Sequence, residues 1–163
     1  MVQLGCFEVF MKSRPDWDEY FITILDAVAS RSTCNRAKCG ALIVKDRQIL
    51  STGYAGSVSG LPHCDEIGCQ LAKFIDENGN EKIHCIRTIH AEQNAICLAA
   101  KRGISIEGAT IYVTMEPCYT CAKMICQCGI RRVIAKYKYH AGELTRKLFK
   151  EKGIELIVLE DGK

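Results

Sequence analysis

Two short motifs constrain this chain more than any other feature of its 163 residues. The first is His90-Ala91-Glu92, and the second is Pro117-Cys118-Tyr119-Thr120-Cys121. Together they offer one imidazole and two thiolates as ligands for a single metal ion, and a carboxylate that need not bind it. A structural zinc site has four protein ligands, whereas a catalytic site has three and leaves the fourth position to water. The pair of motifs therefore predicts an open, catalytic zinc site, with a closed structural site as the alternative.

The spacing within the motifs predicts that both lie at the beginning of a helix. The residues after His90 have an apolar face at helical spacing, which places His90 and Glu92 in a first helical turn. Pro117 can open the next helix without losing a backbone hydrogen bond, and Cys118 and Cys121 then lie one turn apart. The helix dipole favours thiolates at such an N-terminus. Either motif alone is weak, because C-x-x-C also occurs in zinc ribbons and redox pairs.

Length and composition restrict the class of protein. We expect one domain over residues 1–163, with an irregular leader at 1–15. The net charge of +3 is too small to argue for a nucleic-acid partner. Eleven cysteines in a chain without a credible secretory signal indicate a reducing cytoplasm, in which thiolates bind metal. For a phage-encoded chain this would be the host cytoplasm.

The hydrophobic pattern predicts an α/β fold. Asp16 can cap the first helix, and Gly103, Gly129 and Gly153 end three later ones. From residue 91 onwards strands alternate with helices, which favours parallel strand pairing in a layered sheet. The predicted elements are helices over 17–30, 65–75, 91–102, 118–128 and 143–152, strands over 39–44, 49–53, 109–115, 132–137 and 154–159, a loop over 54–64 and a turn over 76–82.

Five stretches carry a resemblance to a known family: Arg31-Ser32-Thr33-Cys34-Asn35-Arg36, Gly53-Tyr54-Ala55-Gly56-Ser57, Ser59-Gly60-Leu61-Pro62-His63-Cys64, Arg87-Thr88-Ile89-His90-Ala91-Glu92 and Tyr139-His140. They resemble the deoxycytidylate (dCMP) deaminases of the zinc-dependent cytidine deaminase superfamily, in particular phage and bacterial members with extra cysteines. The resemblance covers about residues 16 to 160. It implies a three-layer α/β/α fold of the cytidine deaminase type, with a five-stranded mixed sheet.

The resemblance implies hydrolysis of dCMP to dUMP with release of ammonia, a step of pyrimidine nucleotide biosynthesis that supplies the precursor of dTMP. By motif position, His90, Cys118 and Cys121 bind the catalytic zinc. Zinc lowers the pKa of a bound water from about 16 towards 7. Glu92 takes the proton of that water, delivers it to the pyrimidine N3 and later protonates the leaving amine.

The resemblance also implies a second, structural zinc near the rim of the active site. The alternative is a set of reduced thiols that pack as small apolar side chains. We expect Cys39 and Cys97 to lie in the core, and we assign no metal to Cys126 and Cys128. The candidate ligands of the second zinc are Cys34 and Cys64, then His84 or Cys85, and Cys69 as a fourth.

Two groups of nucleotide contacts are predicted, one for the substrate and one for an effector. The alternative for the substrate group is solvated surface charge, and the alternative for the effector group is a plain connecting loop. The resemblance implies a homohexamer that dCTP activates and dTTP inhibits, with Mg²⁺ accompanying a bound triphosphate. Its effector loop corresponds to residues 53–62, where Ala55 replaces the usual Asn. The candidate substrate contacts are Asn35, Arg36, Lys38, Asn94, Tyr137, Tyr139 and His140, and the candidate effector contacts are Tyr54, Gly56, Ser57, Gly60 and Lys101.

Two other functions stay open at this point. The chain could be a zinc deaminase of cytidine or of tRNA adenosine, although a tRNA enzyme calls for a more basic surface than a net charge of +3. It could also be an inactive zinc module that binds nucleic acid. The intact Glu92 argues against that second alternative, because a binding module has no use for a proton carrier.

Overall fold

The computed structural model of the chain describes residues 14–75 and 79–160, so most of the leader predicted at 1–15 lies outside the described residues. Helices and strands alternate from residue 91 onwards, as predicted. The elements are α1 (Trp17–Ser30), β1 (Gly40–Lys45), β2 (Gln48–Tyr54), β3 (Gly56–Ser57), α2 (Cys64–Ile67), β4 (Leu71–Ile75), β5 (Glu81–Cys85), β6 (Thr88–Ile89), α3 (Ala91–Lys101), β7 (Thr110–Met115), α4 (Tyr119–Gln127), β8 (Arg132–Tyr137), α5 (Glu143–Lys152) and β9 (Glu155–Glu160).

The centre of the molecule is a five-stranded sheet with the strand order β2-β1-β7-β8-β9. Strand β1 runs antiparallel to both of its neighbours, and β7, β8 and β9 are parallel to one another. Helix α1 packs against one face of this sheet, and helices α3, α4 and α5 pack against the other. This arrangement confirms the predicted mixed sheet between two helical layers.

Helix α1 shows how local signals and burial act together. The Asp16 carboxylate accepts a hydrogen bond of 2.8 Å from the Glu19 amide and so caps the helix, as predicted. Phe21 and Leu25 are buried against the sheet, where Tyr112 is among their neighbours. The helix therefore covers the side of the sheet that faces away from the two motifs.

Helix α3 lies directly on β2 because Gly53 has no side chain. A Cβ atom at this position would collide with the carbonyl of Ala91 and with the amide nitrogen of Ala95. The Ser51 hydroxyl donates a hydrogen bond of 2.7 Å to the Ala95 carbonyl, which fixes the same contact. The start of α3, and with it the first motif, is thereby held close to the sheet.

The helix predicted over 65–75 is wrong from residue 68 onwards, because α2 covers only Cys64–Ile67. Helix α2 ends at Gly68, whose φ of +83° stops the helix. Residues Leu71–Ile75 form strand β4, which pairs antiparallel with β5 over Glu81–Cys85. The turn predicted over 76–82 therefore ends earlier than expected. Residues Leu71–Ile75 form a strand instead of a helix because β5 satisfies their backbone hydrogen bonds.

Of the two cysteines predicted to lie in the core, one does not. Cys39 is half-buried and packs against the core, but Cys97 is exposed, so its prediction as a core residue is wrong. Ile96 and Ala99 occupy the buried face of α3, and Cys97 points away from it. The described cysteines are free thiols. Within the described ranges, no helix is long and apolar enough to cross a membrane.

Candidate metal centre and active site

Two helix N-termini meet at the first cluster. His90 is the residue that caps α3, and Cys118 is the residue that caps α4. The Gln93 side chain accepts a hydrogen bond of 3.0 Å from the His90 amide, which orients the start of α3. Pro117 precedes the capping residue and does not open the helix, a shift of two residues from the prediction. Cys121 lies in the first turn of α4, so both cysteines face the same helix start.

The three predicted ligands of the catalytic zinc, His90, Cys118 and Cys121, lie close together in space. The His90 Nδ1 atom is 3.5 Å from the Sγ of Cys118 and 3.4 Å from the Sγ of Cys121. All three ligand atoms lie within 4.8 Å of one another, a separation that one metal ion can bridge. Cys121 is buried and His90 is exposed, so the site opens to solvent on one side. One imidazole and two thiols are a donor set that suits Zn²⁺.

The electrostatics of the cluster favour a thiolate. Hydrogen bonds with Cys121 and with His90 lower the pKa of the Cys118 thiol to about 4, although burial by itself would raise it. The same contact with Cys118, together with burial, raises the pKa of Cys121. The hydrogen bond to Cys118 also raises the pKa of His90. One of the two sulfurs is therefore ready to bind a cation without losing a proton first.

Glu92 lies beside this cluster and not within the group of ligand atoms. Its side chain is buried, with 8% exposure, and burial raises the pKa of its carboxyl group. The carboxylate also accepts a hydrogen bond from the Cys121 thiol. A buried carboxyl group with a raised pKa, next to a metal site, is suited to accept a proton and to return it.

A second cluster contains Cys64, Cys69 and Cys85, whose sulfur atoms lie within 4.8 Å of one another. The sulfurs of Cys64 and Cys85 are 3.7 Å apart, and the Thr88 hydroxyl is 3.7 Å from Cys64. Burial raises the pKa of Cys64 to about 11. Burial would also raise that of Cys85, but hydrogen bonds from Thr88 and from the Arg87 backbone lower it to about 6.

Two of the predicted ligands lie outside this second group. The His84 ring contacts Phe74 edge-on, with ring centroids 6.0 Å apart. Cys34 accepts a hydrogen bond of 3.4 Å from the Arg36 amide, and it lies close enough to His90 to contribute to the raised pKa of that ring. Cys34 therefore influences the first cluster, although sequence position matched it with the second.

The three substrate candidates before β1 have protein partners. The Asn35 side-chain amide donates a hydrogen bond of 2.7 Å to the Cys64 carbonyl, and the Arg36 guanidinium donates one of 2.9 Å to the Ile83 carbonyl. Lys38 donates to a carbonyl within its own loop at 2.5 Å. These contacts tie the loop before β1 to the second cluster and to the β4-β5 hairpin.

The remaining substrate candidates lie at two places near the first cluster. Asn94 on α3 donates a hydrogen bond of 2.7 Å to the Tyr54 carbonyl. Tyr137 ends β8, and Tyr139 and His140 follow it with ring centroids 4.6 Å apart. The loop after β8 belongs to the edge of parallel strands at which α/β sheets bind ligands.

The predicted effector loop is only partly a loop. Gly56 and Ser57 form the short strand β3, which pairs with β6 directly before the first motif. Ala55 is buried, and its amide donates 2.9 Å to the Cys39 carbonyl. Among the described residues, the buried Ser57 hydroxyl has no hydrogen-bond partner. Gly60, with a φ of +85°, and Lys101 are exposed.

Sequence reasoning missed an ion pair next to the second motif. The Glu116 side chain is completely buried and accepts two hydrogen bonds from Arg146, at 2.8 Å and 2.6 Å. The only signal was a charged residue directly before Pro117, at the end of an otherwise apolar strand. Nothing in the sequence pointed to the partner on α5.

Comparisons with known proteins agree with this geometry. A family model described as the cytidine and deoxycytidylate deaminase zinc-binding region matches residues 15–137. The chain is 40% identical over 147 residues to ComE operon protein 2 of Bacillus subtilis, which covers 90% of this chain and 73% of that protein. It is 42% identical over 125 residues to the deoxycytidylate deaminase of Mycobacterium phage D29, which covers 75% of this chain and 95% of that enzyme.

A solved structure extends the likeness to three dimensions. The dCMP deaminase of the cyanophage S-TIM5, in complex with dCMP and dUMP, superposes on this chain with a TM-score of 0.72 and 29% sequence identity. The superposition covers 90% of this chain and 99% of the phage enzyme. The two folds therefore correspond over nearly their whole lengths.

Proposed function

Because the chain belongs to the cytidine and deoxycytidylate deaminase family, we propose that it is a zinc-dependent hydrolase that converts dCMP to dUMP and ammonia. The observation that carries the proposal is the buried Glu92 carboxyl group beside the cluster of His90, Cys118 and Cys121. The similarity to phage enzymes named for this reaction supports dCMP as the substrate.

We assign the reaction to residues as follows. His90, Cys118 and Cys121 hold the catalytic zinc, which supplies the Lewis acidity that lowers the pKa of a bound water towards about 7. Glu92 accepts the proton as the water oxygen bonds to C4 of the pyrimidine, and passes it to N3. Glu92 then takes the second proton from the new C4 hydroxyl group and gives it to the amino group as the C4–N4 bond breaks, so that ammonia leaves, the C4 carbonyl forms and dUMP is the other product.

The second cluster has the role of a structural zinc site in this proposal. Cys64, Cys69 and Cys85 supply three of the four ligands that a structural zinc site needs, and the lowered pKa of Cys85 favours metal binding. The cluster joins the start of α2 and the segment after it to the end of β5. A metal here would hold the β4-β5 hairpin to the rest of the chain.

Nucleotide recognition is assigned to the edge of the sheet next to the first cluster. Tyr139 and His140 lie after β8, and Asn94 lies one helical turn after the first motif. We place the substrate against these three side chains. The other candidates, Asn35, Arg36, Lys38 and Tyr137, stay predictions, and the first three already hold structural partners.

Regulation follows from the family resemblance of residues 53–62. We propose a homohexamer in which dCTP with Mg²⁺ raises the apparent affinity for dCMP and dTTP lowers it. A typical coupling gives a change of about 5- to 150-fold. Equilibrium sedimentation measures the assembly, and dCMP saturation curves with each triphosphate measure the coupling. Curves that do not move with either triphosphate would contradict the regulatory role and leave the deaminase assignment intact.

The site of action in the cell is proposed from the thiols. The described cysteines are free, and both clusters need them reduced in order to bind metal. A reducing cytoplasm meets this requirement. We also propose that residues 1–163 act as a single domain.

The proposed reaction is tested by release of ammonia from a panel of substrates. Zinc-loaded protein is incubated with dCMP, dCTP, cytidine and a tRNA anticodon stem. We expect turnover with dCMP and at least about a hundredfold less with the others, because a missing phosphate leaves its protein partners unpaired and a larger polyanion does not fit the same contacts. Preference for cytidine or for the tRNA stem would reassign the substrate. Salt-dependent binding of DNA without any ammonia release would indicate a binding module.

A further inference from the structure

The ion pair between Glu116 and Arg146 is the feature of the described chain that the proposed reaction does not use. Glu116 has a completely buried side chain, whereas Arg146 on α5 is partly exposed. Both carboxylate oxygens of Glu116 accept hydrogen bonds from Arg146, in a two-pronged contact. A buried carboxylate needs this compensation, because a desolvated and unpaired charge is strongly destabilising.

One side of the ion pair holds the loop after β8. The Tyr139 amide donates a hydrogen bond of 3.1 Å to Glu116, and the Tyr139 carbonyl accepts one of 3.1 Å from Arg146. Both backbone groups of Tyr139 are therefore bound by the pair. Gly142 makes room for it, since a Cβ atom there would lie 2.6 Å from a Glu116 oxygen and 2.9 Å from an Arg146 nitrogen.

The other side holds the loop that carries a metal ligand. Glu116 is two residues before Cys118, and its own amide donates 2.8 Å to the Tyr137 carbonyl. The Pro117 carbonyl accepts a hydrogen bond of 3.0 Å from the buried Thr145 hydroxyl, so α5 holds this loop at a second point. The ends of β7 and β8 are paired directly before these loops. The ion pair thus joins the metal loop to the loop of Tyr139.

We propose that Glu116 and Arg146 are positioning residues that fix the Tyr139–His140 loop relative to Cys118, and thereby set the affinity for the substrate. Neither residue touches the reacting atoms. The inference rests on the proposed function, because it takes Tyr139 and His140 as substrate contacts. It adds a requirement that the deaminase assignment alone does not contain, namely that α5 maintains the distance between metal and nucleotide.

A matched control lies at the other end of β8. Arg132, the first residue of the strand, makes a similar two-pronged contact with Asp18 at 3.0 Å and 2.8 Å. Its side chain has 30% exposure, against 36% for Arg146. The Asp18–Arg132 pair joins α1 to the sheet and lies far from both loops of the site. Loss of either pair costs stability, and only loss of the Glu116–Arg146 pair disturbs the site.

The test compares Arg146→Met with Arg132→Met in zinc-loaded protein. We expect Arg146→Met to raise KM for dCMP about tenfold or more, the effect of a lost charge-assisted hydrogen bond, while kcat changes less than about threefold and zinc content stays unchanged. Arg132→Met should lower the melting temperature by a smaller amount, because Asp18 is 36% exposed whereas Glu116 is completely buried, and should leave KM unchanged. Arg146→Lys keeps the charge without the two-pronged geometry and should restore KM only in part.

Each outcome has one meaning. If Arg146→Met has an unchanged KM and only its melting temperature falls, the positioning role is overturned and the deaminase assignment stands. A wild-type protein that holds zinc and does not deaminate dCMP overturns the proposed function, and the inference with it. If Arg146→Met does not fold, Gly142→Ala provides the second measurement, because its Cβ displaces the same pair and should raise KM in the same direction.

Discussion

The two candidate metal-binding clusters of this chain offer similar ligand atoms in different surroundings. The cluster of His90, Cys118 and Cys121 lies at two helix N-termini, opens to solvent and has the buried Glu92 beside it. The cluster of Cys64, Cys69 and Cys85 combines three thiols with a neighbouring hydroxyl group. No carboxylate belongs to that second group in the part of the chain that the structure describes.

The difference teaches that chemistry depends on what stands next to the metal. A zinc ion with an open position and a proton carrier can run a hydrolysis, whereas an ion among thiolates alone can only hold segments together. The first cluster joins two helices that already pack on the sheet. The second joins segments outside the five-stranded sheet, which hydrogen bonds from Asn35 and Arg36 also hold.

The largest expected effect is on the first cluster. Cys118→Ser should lose the catalytic zinc and reduce ammonia release from dCMP to the background rate, because two ligands do not retain the ion. Cys126→Ser, on the same helix α4 and outside both clusters, is the control and should keep zinc and activity. Elemental analysis and the ammonia assay measure both. A Cys118→Ser protein with full zinc and normal turnover would remove the catalytic assignment.

The next effect separates proton transfer from metal binding. Glu92→Ala should keep its zinc and lose about two to four orders of magnitude in kcat, the usual contribution of a general acid and base. Glu66→Ala, which changes a carboxylate near the second cluster, should leave kcat within about twofold. Near-normal turnover of a zinc-replete Glu92→Ala protein would contradict the mechanism.

The third effect concerns stability instead of catalysis. Cys64→Ser should lower the zinc content from about two ions per chain to one and the melting temperature by roughly 5–10 °C, with kcat changed less than about threefold. The exposed Cys97→Ser is the control. Cys34→Ser decides a separate point, since loss of the second zinc would make Cys34 a ligand despite its place outside the cluster. One zinc per chain in the wild type would refute the second site.

The smallest effect is a difference in thiol reactivity after zinc is removed. Cys85 has its pKa lowered to about 6, so it is mostly thiolate at neutral pH, while Cys64 has its pKa raised to about 11 and stays protonated. Allowing for the weaker nucleophilicity of the more acidic thiol, alkylation of Cys85 at pH 7 should be roughly 10- to 100-fold faster. Its rate should fall as the pH drops below about 6. Equal rates measured by mass spectrometry would argue against the distinction.

Much of the fold follows from local signals. The Asp16 cap, the glycines that end the helices and the alternation after residue 91 predicted most elements within a few residues. Residues Leu71–Ile75 were mispredicted because the pairing with β5 is not a local property. A short apolar segment without period adopts the structure that its neighbours in space can complete.

The site divides in the same way. The sequence by itself identified His90, Cys118, Cys121 and Glu92 as a set of candidates, because the proposed chemistry depends on residue type and on spacing within one helical turn. The tertiary structure decided which further cysteines gather into a second cluster, with Cys34 outside it. The tertiary structure also decided that the buried Glu116, directly before the second motif, forms an ion pair with Arg146, thirty residues later in the chain. Contacts between segments distant in the chain depend on how strands and helices pack, and a single sequence does not record that packing.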